Sequence, residues 1–541
     1  MDLSKEGFLA EDLPAVYSTK SVYPLAYLLL IFAVFYAAQL VSFQIPVDAE
    51  MAAMRGAVDG WGMPTHTVWI QQGRWGTYLI ERFIMPQPTV PFLPLAIFGF
   101  FMALAYLMIL RACGIPELSF RHYATFPVFV AFPIWFFIAQ FGANLFAAGL
   151  GMALSGAFLL AFRDTVRMRH QSASDRMTKF CKLYILQMVI ATLTMSLYQS
   201  FTVLLLVGGF GIVLVSMIRS RSVTVGTLID IVGLGLTVVA GVVLYAMTVK
   251  LSLLLTGEKI SYIYNFFHPE ALFIGPVQVA SKVAQQIAMV YGGSEKIYGI
   301  SAWSFALLPL VTLFTLGLST NLRTQPVLRF MALAFLSLML LLPFGLNLMN
   351  RGLIPYRSLF SVPLTLWFCV FICLEFGSPL ARRAAGVALV LVLVQSLYIF
   401  SLFQASSAIA RQYDQRLAEA IYVKIVSARE AGIRPRLPKV DFFGSASGPG
   451  AVYPVPRTET VGRSIFEWGE AKRIVALYRL LGYADIREVS QQERADLVLE
   501  FTDMGVWPDS SSVRVVGDTT LVKLSKTPNE EHAMYIRAVG Q

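Results

Sequence analysis

About eleven stretches of roughly twenty mostly apolar residues, separated by brief polar interruptions, fill the first three quarters of this 541-residue chain. Crossing ~30 Å of hydrocarbon takes about 20 such residues, and in a helix, because a helix satisfies its own backbone hydrogen bonds where no water is present. The stretches fall at about 22–43, 91–110, 123–140, 143–162, 183–200, 201–218, 226–255, 302–320, 327–347, 358–377 and 385–405. Only 14% of the residues are charged, against about 25% in an ordinary soluble domain, so a simple soluble enzyme is excluded. The pattern predicts a polytopic α-helical membrane protein. The first run follows a polar segment without an obvious small-residue cleavage site and reads as a retained anchor.

Charge divides the chain near residue 405. The segment 406–541 holds 18 of the 43 Lys and Arg and 17 of the 33 Asp and Glu, so it reads as a nearly neutral, water-soluble domain. Almost all of the net charge of +10 therefore belongs to the membrane part, 1–405, where such a bias reports loop orientation and not a nucleic-acid partner. Basic residues gather in alternate short loops, for example Arg163, Arg167, Lys179 and Lys182, then Arg382 and Arg383. The positive-inside rule predicts that those loops and the N-terminus are cytoplasmic. An odd number of spans then exports the tail, together with two long loops (about 44–90 and 256–301) and a short one (348–357). Chemistry is expected on that extracytoplasmic face. Of four cysteines none lies in the tail, no disulfide framework is suggested, and Cys369 and Cys373 read as packing on one helix face.

The tail reads as a small α/β unit. A polar helix at about 408–431 continues the last span. A strand follows at Lys439–Phe443, then a Gly/Pro-rich loop and an amphipathic helix at Ile465–Leu481; apolar alternation at Leu497–Phe501 and Leu521–Leu524 suggests further strands.

The first exported loop carries the strongest chemical signal, Pro46-Val47-Asp48-Ala49-Glu50 directly after the first span. An ionisable group at a membrane boundary either sits in water or faces a polar cavity with a job. Asp48 and Glu50 are candidates for a general base and its partner, or simply acidic residues opening a short helix. Further on, Arg74 stands among Trp69, Trp75 and Tyr78, a composition suited to an interfacial helix; the Arg can meet a lipid phosphate and the indoles a sugar or prenyl group, or the segment can be an aromatic anchor. Arg351 and Arg357 bracket Tyr356 on a face that the charge bias otherwise keeps free of arginine, which suits anion binding or snorkelling to headgroups. Tyr262 and His268 in the second long loop, and Tyr198-Gln199 at the outer end of a span, are further cavity candidates. A lone His without a second ligand at metal spacing argues against a metal site, and no cofactor is expected although a divalent ion is compatible with the chemistry. No nucleotide-binding loop or glycosylation sequon appears.

Taken together, Asp48/Glu50, Trp69, Gly73-Arg74-Trp75, Tyr198-Gln199-Ser200, Pro355-Tyr356-Arg357 and, in the tail, Gly462-Arg463-Ser464-Ile465-Phe466-Glu467-Trp468 with Arg473 and Gly482 resemble the Gtr-type bacterial and phage O-antigen glucosyltransferases of the GT-C superfamily. Many relatives are expected to carry adjacent acids where Ala49 separates this pair, which leaves open the choice of base. The resemblance implies a GT-C-like membrane domain. It also implies transfer of a hexose, glucose in this family, from a polyprenyl-phosphate carrier to a hydroxyl of O-antigen or another surface polysaccharide or glycolipid, with inversion. Asp48 or Glu50 would then be the base, and Arg74, Arg351 and Arg357 would hold the departing phosphate. A multi-pass transporter or flippase for a lipid-linked or small substrate is the alternative, without visible inverted repeats to support it.

Overall fold

The computed structural model describes residues 22–42, 50–51, 66–85, 92–168, 176–260, 267–318, 325–430, 439–449, 459–483 and 486–539. Asp48 and Tyr262 lie outside them. The membrane part is all helical: α1 (Val22–Val41), α2 (Val68–Gln71), α3 (Trp75–Leu79), α4 (Phe92–Ala112), α5 (Phe120–Val130), α6 (Ile134–Ala139), α7 (Gly142–Met168), α8 (Arg176–Leu197), α9 (Phe201–Ser220), α10 (Val225–Thr256), α11 (Pro276–Tyr291), α12 (Leu307–Leu318), α13 (Pro326–Leu341), α14 (Ser361–Phe376) and α15 (Pro379–Glu430). Among the described residues eight helices are long and apolar enough to cross a membrane.

Three of the eleven expected spans take a different form. The run 123–140 breaks between α5 and α6 at Phe132-Pro133, because proline cannot donate to the preceding turn, and both pieces are buried inside the bundle. The runs at 302–320 and 358–377 give only α12 and α14, of 12 and 16 residues. Each is preceded by a short 3-10 turn, and α14 is buried along Ser361–Cys373. Apolar composition is equally consistent with a span and with a buried core helix, and tertiary packing decides between them. Aromatic rings fill the centre, with Trp135 stacked on Phe360 at 5.2 Å and Phe136 meeting Phe400 edge-on and Phe403 at a tilt, each at 5.2 Å.

The last span and the expected tail helix are one helix. At 52 residues, α15 carries the chain from the bundle into the tail without a break. Beyond it come β1 (Lys439–Phe443), α16 (Ile465–Trp468), α17 (Ala471–Leu480), β2 (Arg487–Glu488), α18 (Gln491–Leu497), β3 (Val513–Val516), β4 (Thr519–Lys523) and α19 (Glu530–Val539). The strands form one sheet in the order β2-β1-β4-β3, with β1 parallel to β2 and β4, and β3 antiparallel to β4. Two expectations are modified. The amphipathic helix at 465–481 is split by Gly469 at φ +65°. Leu497–Phe501, read as a strand, is the end of α18 and a 3-10 turn, because Ser490 and Glu493 cap each other's backbone N–H and start a helix there.

Period-2 alternation gives β1 two working faces. Val440 and Phe442 pack with Leu417, Ile421 and Ile425 of α15. On the other face Asp441 is fully buried and accepts from Arg494 Nε at 2.9 Å, while His532 Nε2 lies 2.8 Å from its second oxygen. Burial alone would raise the Asp441 carboxyl, but His532 and Arg494 outweigh it and hold the group below its ordinary range. A depressed carboxyl stabilises the fold above its unfolded pKa of about 4 and loses that contribution as the pH falls through the folded value. Asp441→Asn should therefore destabilise the tail by about 1–3 kcal/mol at neutral pH, since it removes the buried charge that Arg494 and His532 share while Glu488 and Glu531 keep Arg494 paired. Hydrogen exchange of β1 and β4 in the full-length detergent-solubilised protein is the measurement, with the difference from wild type shrinking on acidification.

Candidate active site

Between α1 and α4 the described residues 66–85 pack on the ends of α8 and α10. Gly73 turns the chain at φ +72°, a left-handed value that costs a side-chain-bearing residue about 1–2 kcal/mol. Its carbonyl accepts from Tyr245 Oη at 2.9 Å, and Gln199 Nε2 donates to the Gln72 carbonyl at 2.7 Å. Gly76 presses on the end of α8, where an added Cβ would stand 2.3 Å from Ser196 Oγ. The turn is thus bolted to α8 and α10, and it aims the next residue, Arg74, inward.

Arg74 is buried, with 9% of its surface exposed. Its guanidinium lies 3.9 Å from the centre of the Tyr198 ring, and it donates to Gln199 Oε1 at 3.3 Å and Asn144 Oδ1 at 3.4 Å. Every one of these partners is neutral, and among the described residues no carboxylate pairs with Arg74. A buried cation without a counter-charge is costly, and a cation–π contact supplies only a few kcal/mol at most. The position is electrostatically suited to an anion.

The segment Leu342–Arg357 approaches the same place from the other side. After a 3-10 run the chain turns at Arg351 and Gly352, both with positive φ (+53° and +92°). Close packing explains the glycine, since an added Cβ would meet Lys282 Cβ at 2.7 Å and the Val279 carbonyl at 2.9 Å. Gln286 of α11 secures the turn by donating to the Ile354 carbonyl at 2.8 Å. Tyr356 is buried 6.3 Å from the Phe137 ring, and Arg357 follows, its Nη1 2.5 Å from Glu459 Oε2 and its Cζ 4.9 Å from the Phe141 ring. Glu459, nearly fully buried, comes from the tail.

Between these segments lies a cavity of about 230 Å³. Arg74, Tyr198, Gln199, Arg357 and Ser358 form its polar side, and Phe267, Leu346, Met349 and Ile354 its apolar side. Four residues singled out in the sequence are thus gathered into one space. His268 and Arg351 stand next to it, Arg351 Nη2 lying 3.3 Å from His268 Nδ1, which is also 3.0 Å from Glu270. The tryptophans do not line the cavity: Trp75 Nε1 donates to Thr248 Oγ1 at 3.1 Å, and Trp69 Nε1 donates to the buried Glu81. Glu50 is fully buried and does not line the cavity either; its Oε1 accepts from Arg473 of the tail at 2.9 Å. Sequence reasoning passed over Gln72, Asn144, Ser358 and Glu459, none of which carries a local pattern that separates it from neighbouring polar residues. Among the described residues no group of three or more His, Cys, Asp or Glu is placed to hold a metal ion.

A sequence profile of a family described as glucosyl transferase GtrII matches residues 19–374. No curated protein and no solved structure matches the chain.

The geometry of the turn is itself testable. Gly73→Ala should lower stability by about 1–2 kcal/mol through its left-handed backbone. Gly142→Ala, at the start of α7 with open space around its Cα, should leave the midpoint close to wild type. Thermal unfolding in detergent compares the two.

Proposed function

Since the chain belongs to the GtrII glucosyl transferase family, whose profile matches more than half of it, and is therefore a glycosyltransferase of the membrane, we propose that the cavity between Arg74 and Arg357 holds the phosphate of a polyprenyl-phosphate-linked hexose. The observation that carries this reading is Arg74: a buried guanidinium aimed into a cavity and met only by neutral groups. The lipid-linked phosphate supplies the missing charge, and the apolar wall of Phe267, Leu346, Met349 and Ile354 suits the first isoprene units beside it.

The reaction is a single inverting displacement at the anomeric carbon. An acceptor hydroxyl on a surface polysaccharide or glycolipid attacks, a new C–O bond forms, and the bond from the sugar to the phosphate oxygen breaks. The hydroxyl proton passes to a carboxylate, for which Asp48 is the candidate because Glu50 is buried against Arg473 and off the cavity, and the prenyl phosphate departs as an anion. Negative charge grows on the leaving oxygen in the transition state, so guanidinium groups already fixed there lower the barrier without reorganising. Arg74 is pre-set by the Gly73 turn and by its stack on Tyr198. Arg357 carries Glu459 as its counter-ion and lines the cavity, and Arg351 stands at the rim. A phosphate leaving group needs no general acid when cations are this close, so the scheme uses no metal. In this reading the site opens to the extracytoplasmic face, which also receives the tail.

Transfer of labelled hexose from polyprenyl phosphate in membranes tests it. Arg74→Gln should lower kcat/KM by about 10²–10³-fold, the scale of one lost transition-state donor. Asp48→Asn should cost about 10²–10⁴-fold, the scale of a lost general base. Trp75→Phe, on the side away from the cavity, should stay near wild type. Undiminished transfer by Arg74→Gln would refute the phosphate site.

A further inference from the structure

Two hydroxyl groups on the cavity wall are not used by the arginines. Tyr198 stands one residue past the end of α8, and Ser358 closes the 3-10 turn that follows Pro355; both line the cavity. The Tyr198 ring is fixed by Arg74, 3.9 Å from its centre, and by the tilted Phe360 ring at 4.8 Å. Its hydroxyl lies 3.4 Å from Ser358 Oγ, and either oxygen can donate. Two hydroxyl protons share one long contact, and only one of them can lie in it. The pair therefore keeps one O–H donor in excess, on a wall whose guanidinium groups also only donate.

Charge indicates what that donor meets. Of the charged residues that line the cavity or pair with its lining, Arg74 and Arg357 are positive and Glu459 is negative. At the rim Arg351 is matched by Glu270 across His268. Among the described residues the wall thus has a surplus of one positive charge. A polyprenyl-phosphate hexose is a phosphodiester with one negative charge, which that surplus neutralises. When the bond from the anomeric carbon to the phosphate oxygen breaks, its electron pair stays on the oxygen. The product is a monoester that carries a charge of about −1.5 to −2 at neutral pH. The surplus does not cover the added charge, whereas a fixed hydroxyl donor does, because hydrogen bonds to an ionised oxygen are roughly twice as strong as neutral ones.

The field at Tyr198 has the sign this requires. Burial raises its hydroxyl, but Arg74, Arg357 and the bond with Ser358 outweigh burial and the Glu459 carboxylate and hold the group below its ordinary value. We propose that the Tyr198 hydroxyl, oriented by Ser358, donates a hydrogen bond to the phosphate oxygen that is released as the bond to the sugar breaks. Tyr198 is then a catalytic residue and Ser358 a positioning residue. The assignment rests on the phosphate reading of the cavity and adds to it a group that acts on developing charge.

Tyr198→Phe removes the hydroxyl and keeps the ring beside Arg74. In the transfer assay it should lower kcat by about 10–10²-fold, the scale of one hydrogen bond to a charged oxygen, and leave the KM for polyprenyl-phosphate hexose within about two-fold of wild type. Ser358→Ala should lower kcat less. The double variant should be no worse than Tyr198→Phe alone, because Ser358 acts through Tyr198. An unchanged kcat in Tyr198→Phe, a loss confined to KM, or losses that multiply in the double variant overturn the assignment.

Binding of the product reads the same contact without turnover. Thermal unfolding of the full chain in detergent compares wild type, Tyr198→Phe and Arg74→Gln, with and without polyprenyl phosphate. Empty Tyr198→Phe should unfold near the wild-type midpoint, and polyprenyl phosphate should raise the wild-type midpoint more than the variant's. A lowered midpoint in the empty variant means that the hydroxyl bonds within the protein, and overturns the donor. Equal protection of wild type and Arg74→Gln refutes the phosphate reading itself. Protection lost in Arg74→Gln but kept in full by Tyr198→Phe overturns the hydroxyl assignment alone.

Discussion

A guanidinium carries its charge at every accessible pH, so at the edge of a hydrocarbon layer it must be given partners by the fold. Four arginines in this protein meet that constraint in two ways. Arg357, Arg473 and Arg494 are each paired with a buried carboxylate, Glu459, Glu50 and Asp441 respectively. Arg74 has an aromatic face and two amide oxygens. The difference separates the architectural cations from one that remains electrostatically incomplete, and that incompleteness is the physical basis on which a phosphate site rests.

The backbone around Arg74 is organised to keep it so. A longer or looser loop would let the side chain swing to water and solve its own charge problem. The left-handed Gly73, the Tyr245 and Gln199 hydrogen bonds and the tight approach of Gly76 to Ser196 remove that freedom. Opposite, the positive φ of Arg351 is an uncommon conformation for a residue with a side chain. The anchoring of Ile354 by Gln286 and of the His268 backbone N–H to the Met349 carbonyl holds the strained turn in place. Rigid placement of donors is what makes them effective on charge that develops during a reaction.

Much of this was legible in the sequence, and the limits have physical causes. Apolar run length located the helices, because the bilayer requirement is local and additive. It misjudged 123–140, 302–320 and 358–377 as spans of full length, since hydropathy does not register a Pro133 break or distinguish a buried 16-residue helix from a crossing one. The β1 strand was visible from its alternation, whereas Leu497–Phe501 was not, because a cap seven residues upstream sets its backbone. Arg74 and Arg357 were legible because arginine in those loops runs against the expected charge bias, and Tyr198-Gln199 because the polar pair ends an apolar run. Glu459 and Asn144 were not, since only long-range folding gives them their partners. Trp69 and Trp75 carried the expected aromatic signal and use it otherwise, their indole N–H groups fixing the loop from behind.

Among the described residues two ion pairs, Arg357–Glu459 and Arg473–Glu50, join the tail to the rest of the chain. Arg357 and Glu50 lie within the stretch matched by the family profile, and their partners Glu459 and Arg473 lie beyond it. A buried ion pair adds little net stability, but removing one member exposes the other's full desolvation cost of about 3–5 kcal/mol. The membrane part alone would lose the Arg473 charge at the buried Glu50 and the Glu459 counter-ion of Arg357 at the cavity. The tail is therefore an electrostatic component of the site, and the polarity of the pairs, acid from the tail in one and base in the other, allows it to dock in only one orientation.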